Sequence, residues 1–220
     1  MLKPYLFSPS EFAFGLSGCK KCYYDLKINK IKIQTGFPQI FSKLDLIQKE
    51  FYHNKSSELF NSNEISKGII KTDYLKLQTS EVMHDNKGRS FQLRGKIDAY
   101  VKHDNFYSIV DFKVTNIDEK KIERYKTQLF SYALMFENPN EKSIKLKPIK
   151  NLGIFCFEPK KIVKRETTPF FEMKTKYFNI KRNDKYFFDF ITSVIDFLEE
   201  DPPDFNQLCD ICNLKRNKFF

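Results

Sequence analysis

The spacing of apolar residues divides the chain into helical and extended segments. Residues 118–137 carry an apolar residue every three or four positions, which predicts a helix with one buried face. Residues 39–60 and 184–200 show a similar period, and residues 8–27 begin with a Ser-Pro-Ser-Glu helix-start signal. The apolar positions of the first of these helices are Ile122, Tyr125, Leu129, Ala133 and Phe136.

Extended segments lie between the helices. Residues 75–114 alternate between apolar and polar positions, which is typical of strands. Residues 152–157 form a short apolar run that predicts a strand buried on both faces, and residues 176–181 predict another strand. The order of elements therefore favours an α/β fold with a central mixed β-sheet flanked by helices. Because no repeat or low-complexity linker interrupts the chain, we expect a single domain over residues 1–220.

Two neighbouring predicted strands gather acidic and basic side chains on one face. Strands alternate faces with a period of two, so Asp98 is grouped with Lys96 and Tyr100, while Asp111 is grouped with Lys113. A hairpin closed over loop 102–105 would place Asp98 opposite Ile109 and diagonal to Asp111, about 7–8 Å apart at the backbone. The other face would be apolar and directed toward a helix layer, with Ile97, Ala99, Val101, Val110, Phe112 and Val114.

This group of side chains fits a hydrolytic metal site. Hard cations such as Mg²⁺ prefer carboxylate, carbonyl and water oxygens, and a bound metal lowers the pKa of its water. A nearby ammonium orients water and stabilises charge on a phosphate. A surface salt bridge between Asp111 and Lys113 is the simpler alternative. It is disfavoured because Asp111 lies in an apolar run, where an unpaired charge is costly.

The same residues resemble motifs of the PD-(D/E)XK nuclease superfamily, specifically its RecB-like branch, which includes CRISPR-associated RecB-like exonucleases with a terminal cysteine cluster. The proline of the family name is replaced by Ile97. The matching segments are Gly95-Lys96-Ile97-Asp98, Ile109-Val110-Asp111-Phe112-Lys113 and Gln128-Leu129-Phe130-Ser131-Tyr132.

The resemblance implies a restriction-endonuclease-like core and a Mg²⁺-dependent deoxyribonuclease, with Mn²⁺ as an alternative ion. It assigns Asp98, Asp111 and the backbone carbonyl of Phe112 as metal ligands, and Lys113 as the catalytic lysine. It also implies a pair of residues on one helix that is specific to this branch, and a further site residue on an earlier helix. These further assignments are Gln128 and Tyr132 for the pair, His53 in preference to Glu50 for the upstream residue, and Glu81 as an auxiliary group.

Four of the five cysteines form two CxxC pairs, one near each end of the sequence. Cys19, Cys22, Cys209 and Cys212 would together supply four thiolates for a tetrahedral Zn²⁺ or an iron–sulfur cluster. A shared metal would join the termini of the fold. The RecB-like resemblance favours a [4Fe–4S] cluster over Zn²⁺, and four unrelated core thiols are the third possibility. Cys156 lies in an apolar strand and is interpreted as a core residue.

The chain has a formal net charge of +10, which favours a polyanionic partner, although a lysine-rich solvated surface gives the same charge. The basic pairs Lys160-Lys161, Lys164-Arg165 and Lys181-Arg182 would contact phosphates without reading bases.

We therefore expect a DNA nuclease acting on ends or single strands, in repair, recombination or defence, with a helicase or other protein as a possible partner. The alternatives are a metal-stapled interaction domain, and a non-catalytic nucleic-acid-binding or assembly subunit that retains the nuclease fold. The sequence shows neither a secretory signal nor a membrane span, so a cytoplasmic location is expected.

Overall fold

A computed structural model describes residues 3–14, 18–31, 38–72 and 76–219, with residues 14 and 215–219 described by their backbone alone. The strands are β1 (Tyr5–Phe7), β2 (Ile69–Lys71), β3 (Gln78–Thr79), β4 (Met83–His84), β5 (Ser90–Gly95), β6 (Ala99–Lys102), β7 (Tyr107–Val114), β8 (Ile149–Arg165) and β9 (Thr168–Ile180). The α-helices are α1 (Pro9–Phe14), α2 (Lys20–Lys27), α3 (Gln39–Tyr52), α4 (Glu119–Ile122), α5 (Lys126–Glu137), α6 (Asp184–Glu199) and α7 (Asp210–Phe219). Single 3₁₀ turns occupy Ser57–Phe60 and Glu123–Tyr125.

The central layer is a five-stranded mixed sheet in the order β2-β6-β7-β8-β9. Strands β7 and β8 run parallel, whereas the other neighbours in this sheet are antiparallel. A smaller sheet forms around β5, which pairs with β1 in parallel and with β3 and β4 antiparallel. The mixed α/β architecture predicted from the sequence is confirmed.

Apolar side chains cover both faces of the central sheet. Ile109 and Ile154 face a large core that includes α5 and α6, while Val110 and Phe155 face a second, aromatic core beneath the end of α3. Helix α5 is buried at every residue from position 127 to 136, because it lies between the sheet and the other helices. In place of the single helix predicted over 118–137, the structure has α4, a 3₁₀ turn and α5. Helix α5 is buried on all sides and does not have the one buried face that was predicted.

The β6–β7 hairpin differs in register from the sequence prediction. Val101 pairs with Ser108, two residues beyond the predicted partner Phe106. Phe106 lies in the turn, where its ring stacks on His103 with a centroid separation of 4.1 Å. Because the shift is two residues, the paired side chains of β6 and β7 keep their predicted faces. The pairing begins at Ala99, opposite Val110, and Asp98 lies just before it.

The predicted strand over 95–101 is interrupted at residues 96–98, where the chain leaves the small sheet and enters the central one. Tyr132 stabilises this break, because its hydroxyl donates a 2.6 Å hydrogen bond to the carbonyl of Lys96. As a result Ile97 enters the core on the α5 side. The prediction that Ile97 shares a face with Ala99 is wrong, since alternation does not continue through a break in the strand.

Helix ends follow the capping signals in the sequence. The backbone N–H of Ser8 donates to the Glu11 carboxylate at 3.0 Å at the start of α1. Asn183 caps α6 by accepting from the Tyr186 N–H at 2.9 Å. Among the described residues, no helix has the length and apolar character that crossing a bilayer requires.

Candidate active site and cysteine cluster

A cleft of about 460 Å³ opens where the central sheet meets α3 and the 3₁₀ turn before α5. Asp98 and Lys113 lie in its lining, and the buried Asp111 adjoins it through its ion pair with Lys113. The cleft is lined by Phe41, Ser42, Asp45, Gln48, Asp98, Phe112, Lys113, Val114 and Tyr125.

Asp98 lies at the strand break, and both of its carboxylate oxygens are engaged. Oδ2 accepts a 2.9 Å hydrogen bond from the backbone N–H of Phe112, which ties the carboxylate to β7. Oδ1 lies 2.9 Å from the Nζ of Lys49 on α3. Burial opposes ionisation of Asp98, but the charges of Lys113 and Lys49 lower the pKa of this carboxyl below its usual value.

Asp111 and Lys113 form the second part of the site. Their side chains project from the same face of β7, with Lys113 Nζ 2.5 Å from Asp111 Oδ2. Burial and the neighbouring charge of Asp98 raise the pKa of Asp111 to about 7, although the Lys113 ammonium acts in the opposite direction. The lysine ammonium also lies 5.2 Å from the centroid of the Tyr125 ring. The site thus holds two close carboxyls that resist simultaneous ionisation without cations nearby.

Lys49 is a site residue that the sequence interpretation missed. Its ammonium bridges Asp98 and Asp45, at 2.9 Å and 2.7 Å, and burial leaves only 11% of its side chain exposed. A helical period was the available signal, since Asp45, Lys49 and the buried Tyr52 recur at three- and four-residue spacing. Lysine on a helix is usually solvated, so this pattern alone did not indicate a buried ion pair.

Gln128 and Tyr132 lie on one face of α5, one turn apart, as their spacing predicted. Gln128 Nε2 donates to the Tyr132 hydroxyl at 3.3 Å, and both side chains are buried. Gln128 Oε1 has no hydrogen-bond partner in the described part of the chain. Burial raises the pKa of Tyr132, and the nearby charges of Asp111 and Asp98 raise it further. The pair therefore lies against the carboxylates from the buried side and not in the open cleft.

The upstream candidates lie away from the cleft lining. His53 follows the last turn of α3, with its Nδ1 3.2 Å from the Thr72 hydroxyl. Glu50 is exposed, as is Glu81, whose backbone N–H donates to the carbonyl of Asn138 at 2.9 Å. The structure thus places Lys49 and Asp45, rather than these three residues, beside Asp98.

The four cysteines of the two CxxC pairs come together between α2 and the start of α7. The Sγ atoms all lie within 4.8 Å of one another, which satisfies the ligand arrangement expected of a metal site. Hydrogen bonds from the Cys22 N–H and the neighbouring thiols lower the pKa of Cys19 to about 7, against the opposing effect of its burial. The closest pairs are Cys22–Cys212 at 3.4 Å, Cys19–Cys212 at 3.5 Å and Cys22–Cys209 at 3.8 Å.

Cys156 has a separate environment. It is fully buried in β8, and burial raises the pKa of its thiol to about 11. Its interpretation as a core residue agrees with this position.

The mixed sheet and its acidic, lysine-containing cleft define the class of nuclease folds that the sequence motifs indicated. The chain belongs to the PD-(D/E)XK nuclease superfamily, whose family model matches residues 45–216.

A curated relative agrees with this membership, and a solved structure shares the fold. The chain is 40% identical over 131 residues to an ATP-dependent helicase/nuclease subunit of Clostridioides difficile (strain 630), consistent with the RecB-like branch. This match includes 58% of the chain but only 10% of the relative, so the chain spans about a tenth of that protein. The crystal structure of SSO0001 shares the fold, with a TM-score of 0.55 and 14% identity over 98% of this chain and 86% of that one.

Proposed function

We propose that the chain is a metal-dependent nuclease that hydrolyses phosphodiester bonds in DNA, acting on ends or single strands. The observation that carries this proposal is the convergence of Asp98, Asp111 and Lys113 beside one cleft. Membership of a nuclease superfamily supports the reaction class. The basic balance of the chain suits a polyanionic substrate.

The donor set fits a hard divalent cation. Asp98, at the strand break, lies close to Asp111 of β7, and the repulsion between the two carboxylates is relieved by positive charge, which Lys49 and Lys113 supply in this structure. Asp98 and Asp111 would hold Mg²⁺ or Mn²⁺, with the backbone carbonyl of Phe112 as a third ligand. When bound, the ion supplies an activated water and neutralises charge on the scissile phosphate.

The chain's own residues supply position and charge. Lys113 is fixed by Asp111 and by the Tyr125 ring, so its ammonium points into the cleft at a constant place. It would orient the attacking water and stabilise negative charge developing on phosphate oxygens. The Phe112 N–H holds Asp98 at the strand break, which keeps the carboxylate directed toward Asp111. Tyr132 supports the same break from the buried side.

Degradation of labelled DNA in Mg²⁺ or Mn²⁺ tests this proposal. We expect the wild-type protein to degrade single-stranded or end-containing DNA, and Asp111→Ala to abolish the activity. Asp104→Ala, in the exposed turn of the same hairpin, serves as the control and should keep full activity. Equal activity in wild type and Asp111→Ala would overturn the catalytic assignment. A folded wild-type protein that binds DNA without cutting it would favour the non-catalytic alternative.

We propose that the four thiolates hold a structural metal centre. The resemblance favours [4Fe–4S], whereas the spacing of the thiols supports one Zn²⁺. Four sulfurs about 2.3 Å from a single tetrahedral ion lie about 3.8 Å apart, close to the separations of 3.4–3.8 Å in the nearest pairs. An iron–sulfur cluster must itself fit between its ligands and would require the thiols to move apart. Metal analysis and visible absorption of anaerobically purified protein separate the two.

We also propose that the chain works with a helicase. The support is the relative, which is named a helicase/nuclease subunit. Co-purification of the full chain with a helicase from its own cell, and loss of degradation of long duplex DNA without that helicase, test this arrangement.

A further inference from the structure

Strands β8 and β9 continue well beyond the central sheet. Strand β7 pairs with β8 only as far as Val114 and Phe157, and beyond this point β8 pairs with β9 alone. Residues 158–175 therefore form a two-stranded ribbon. Met173 packs against the second core near the base of the ribbon, so this end is anchored. In the described parts of the chain no third strand pairs with these residues, and most of their side chains are exposed and available to a partner.

Large apolar side chains are exposed on this ribbon. Phe171 is 74% exposed and Ile162 is 62% exposed, and the two residues are directly opposed across the strands. They therefore share a face, with Lys164 two residues further along on the same face. On the opposite face, the guanidinium of Arg165 lies 5.7 Å from the centroid of the Phe170 ring. Each face thus pairs an aromatic ring with a basic side chain.

The charge of the ribbon is complementary to nucleic acid. Residues 158–175 contain five basic and three acidic side chains. Lys160 and Lys161 share one acidic partner, Glu172, each at 3.7 Å, which leaves an excess of positive charge. By contrast Arg182, a predicted phosphate contact, is held by Glu137 and Asp184 at 2.7 Å and 2.6 Å. Of the basic pairs predicted to contact phosphates, those at 160–161 and 164–165 lie on the ribbon, where Phe170 and Phe171 are also exposed.

The ribbon leaves the sheet beside the cleft. Cys156, just before the ribbon, is in register with Lys113. The opposed pair Ile162 and Phe171 lies six residues beyond Cys156 along β8, a distance of about 20 Å at the rise of a strand. A strand bound along the ribbon would therefore lead directly to the candidate active site.

We propose that the ribbon of residues 158–175 binds single-stranded nucleic acid, with Phe171 and Phe170 stacking on unpaired bases and the neighbouring basic residues contacting phosphates. Aromatic stacking favours unpaired bases because their faces are open, whereas bases in a duplex are already stacked. The proposal rests on the proposed function for its substrate class, and it identifies the surface that selects single strands. Phosphate contacts from this surface carry no sequence information.

Fluorescence anisotropy with a labelled single-stranded oligonucleotide and a blunt duplex of equal length tests the proposal. Binding is measured in the full-length Asp111→Asn protein, which removes cleavage. We expect Phe170→Ala/Phe171→Ala to weaken single-strand binding at least about fivefold while changing duplex affinity less. Replacing Lys164 with Gln should reduce the slope of log affinity against log salt by about 0.7 for the single strand.

Phe51→Ala is the matched control, because Phe51 is 53% exposed and has a lysine ammonium, that of Lys55, over its ring. It should bind both nucleic acids like the parent. Unchanged single-strand affinity in the double ribbon variant would overturn the proposal, as expected if the ribbon serves a protein partner. An equal loss for single strand and duplex would also overturn it.

Failure of the ribbon proposal and failure of the nuclease proposal are distinguishable. Binding in the Asp111→Asn protein requires no catalysis, so it reports on the ribbon even if wild type proves inactive. Hydrolysis of a small chromogenic phosphodiester by the protein with Asp111 intact reports on the cleft alone. The double ribbon variant should keep that hydrolysis at the wild-type rate, and a parallel loss would show that the substitutions disturb the cleft instead.

Discussion

Lys49 of α3 forms a 2.9 Å ion pair with Asp98, the first carboxylate of the candidate active site. The Lys49 ammonium would therefore compete with a metal ion for the Asp98 carboxylate. Because Lys49 also pairs with Asp45 at 2.7 Å, it has a second partner to which it can move when a cation binds Asp98. If the carboxylates bind a divalent ion as proposed, Lys49 would act as a positioning residue that sets how strongly they attract it.

Replacing Lys49 with Met should strengthen metal binding and weaken the metal-free fold. We expect Mn²⁺ affinity measured by calorimetry to rise about tenfold, equivalent to about 1.4 kcal/mol. In EDTA, unfolding should become easier by about 3 kcal/mol, since the variant leaves a partly buried carboxylate without its partner, and added Mn²⁺ should restore stability. Lys43→Met, exposed on the same helix, is the control. Weaker Mn²⁺ binding in Lys49→Met would contradict this role.

Metal binding should depend on pH through Asp111. Burial and Asp98 raise the pKa of Asp111 to about 7, and a protonated carboxyl is a poor metal ligand. Mn²⁺ affinity should therefore be nearly constant above pH 7 and fall about tenfold for each unit below it. The stability of the metal-free protein should depend on pH in the opposite direction. Its folded state holds a proton on Asp111 that the unfolded state releases, so the free energy of unfolding decreases as pH rises from about 4 to 7. A flat calorimetric profile between pH 6 and 8 would refute this dependence.

Substituting a single cluster cysteine should remove the structural metal. Cys22→Ser should abolish bound metal measured by elemental analysis and should lower the unfolding temperature, because the Cys22 thiol lies near both Cys209 and Cys212. Cys156→Ser is the matched control, since this buried thiol lies in β8 outside the cluster. It should retain the metal even if the hydroxyl destabilises the core. Loss of metal from both variants would indicate general unfolding.

Asp85→Asn should destabilise the contact between the β4–β5 turn and α6. Asp85 is buried and pairs with Arg89 at 2.6 Å, and Arg89 also contacts Glu199 at 2.7 Å. We expect a loss of about 3 kcal/mol in urea unfolding at pH 7. Burial opposes ionisation, but Arg89 lowers the pKa of Asp85 below its usual value. The stabilisation is therefore present above the unfolded pKa of about 3.9 and is lost as pH falls through the folded value.

The difference in the free energy of unfolding between wild type and Asp85→Asn should accordingly narrow between pH 4 and 2, because the wild type loses its Asp85–Arg89 ion pair. Asp104→Asn, in an exposed turn, should change little at either pH. A difference that stays constant down to pH 2 would show that the charge of Asp85 does not carry the effect.

Strand periodicity was sufficient to predict that Asp111 and Lys113 share one face of β7, but it was insufficient for the register of the hairpin. A two-residue shift preserves the alternation, so no hydrophobic pattern distinguishes the two hairpins. In the observed register the apolar residue Phe106 lies in the turn, where its ring stacks on His103. Such a local ring contact leaves no periodic signal in the sequence.

The strand break before Asp98 and the position of Lys49 depend on contacts between distant segments. Gly95 packs so closely on Pro9 that a Cβ there would lie 2.8 Å from the proline ring, and Tyr132 binds the Lys96 carbonyl. These contacts join three parts of the chain that periodicity treats separately. The cysteine cluster was easier to predict, because two CxxC pairs are a local sequence pattern typical of a four-thiolate metal site.

The ribbon has a consequence for how this fold diversifies. Its outer residues make cross-strand contacts with each other and few with the body of the protein, so changes in their length or composition leave the cleft geometry intact. If the ribbon binds single strands as proposed, substrate preference could therefore evolve in the ribbon while the residues of the cleft stay unchanged. The ribbon could likewise be exchanged between relatives without redesigning the cleft.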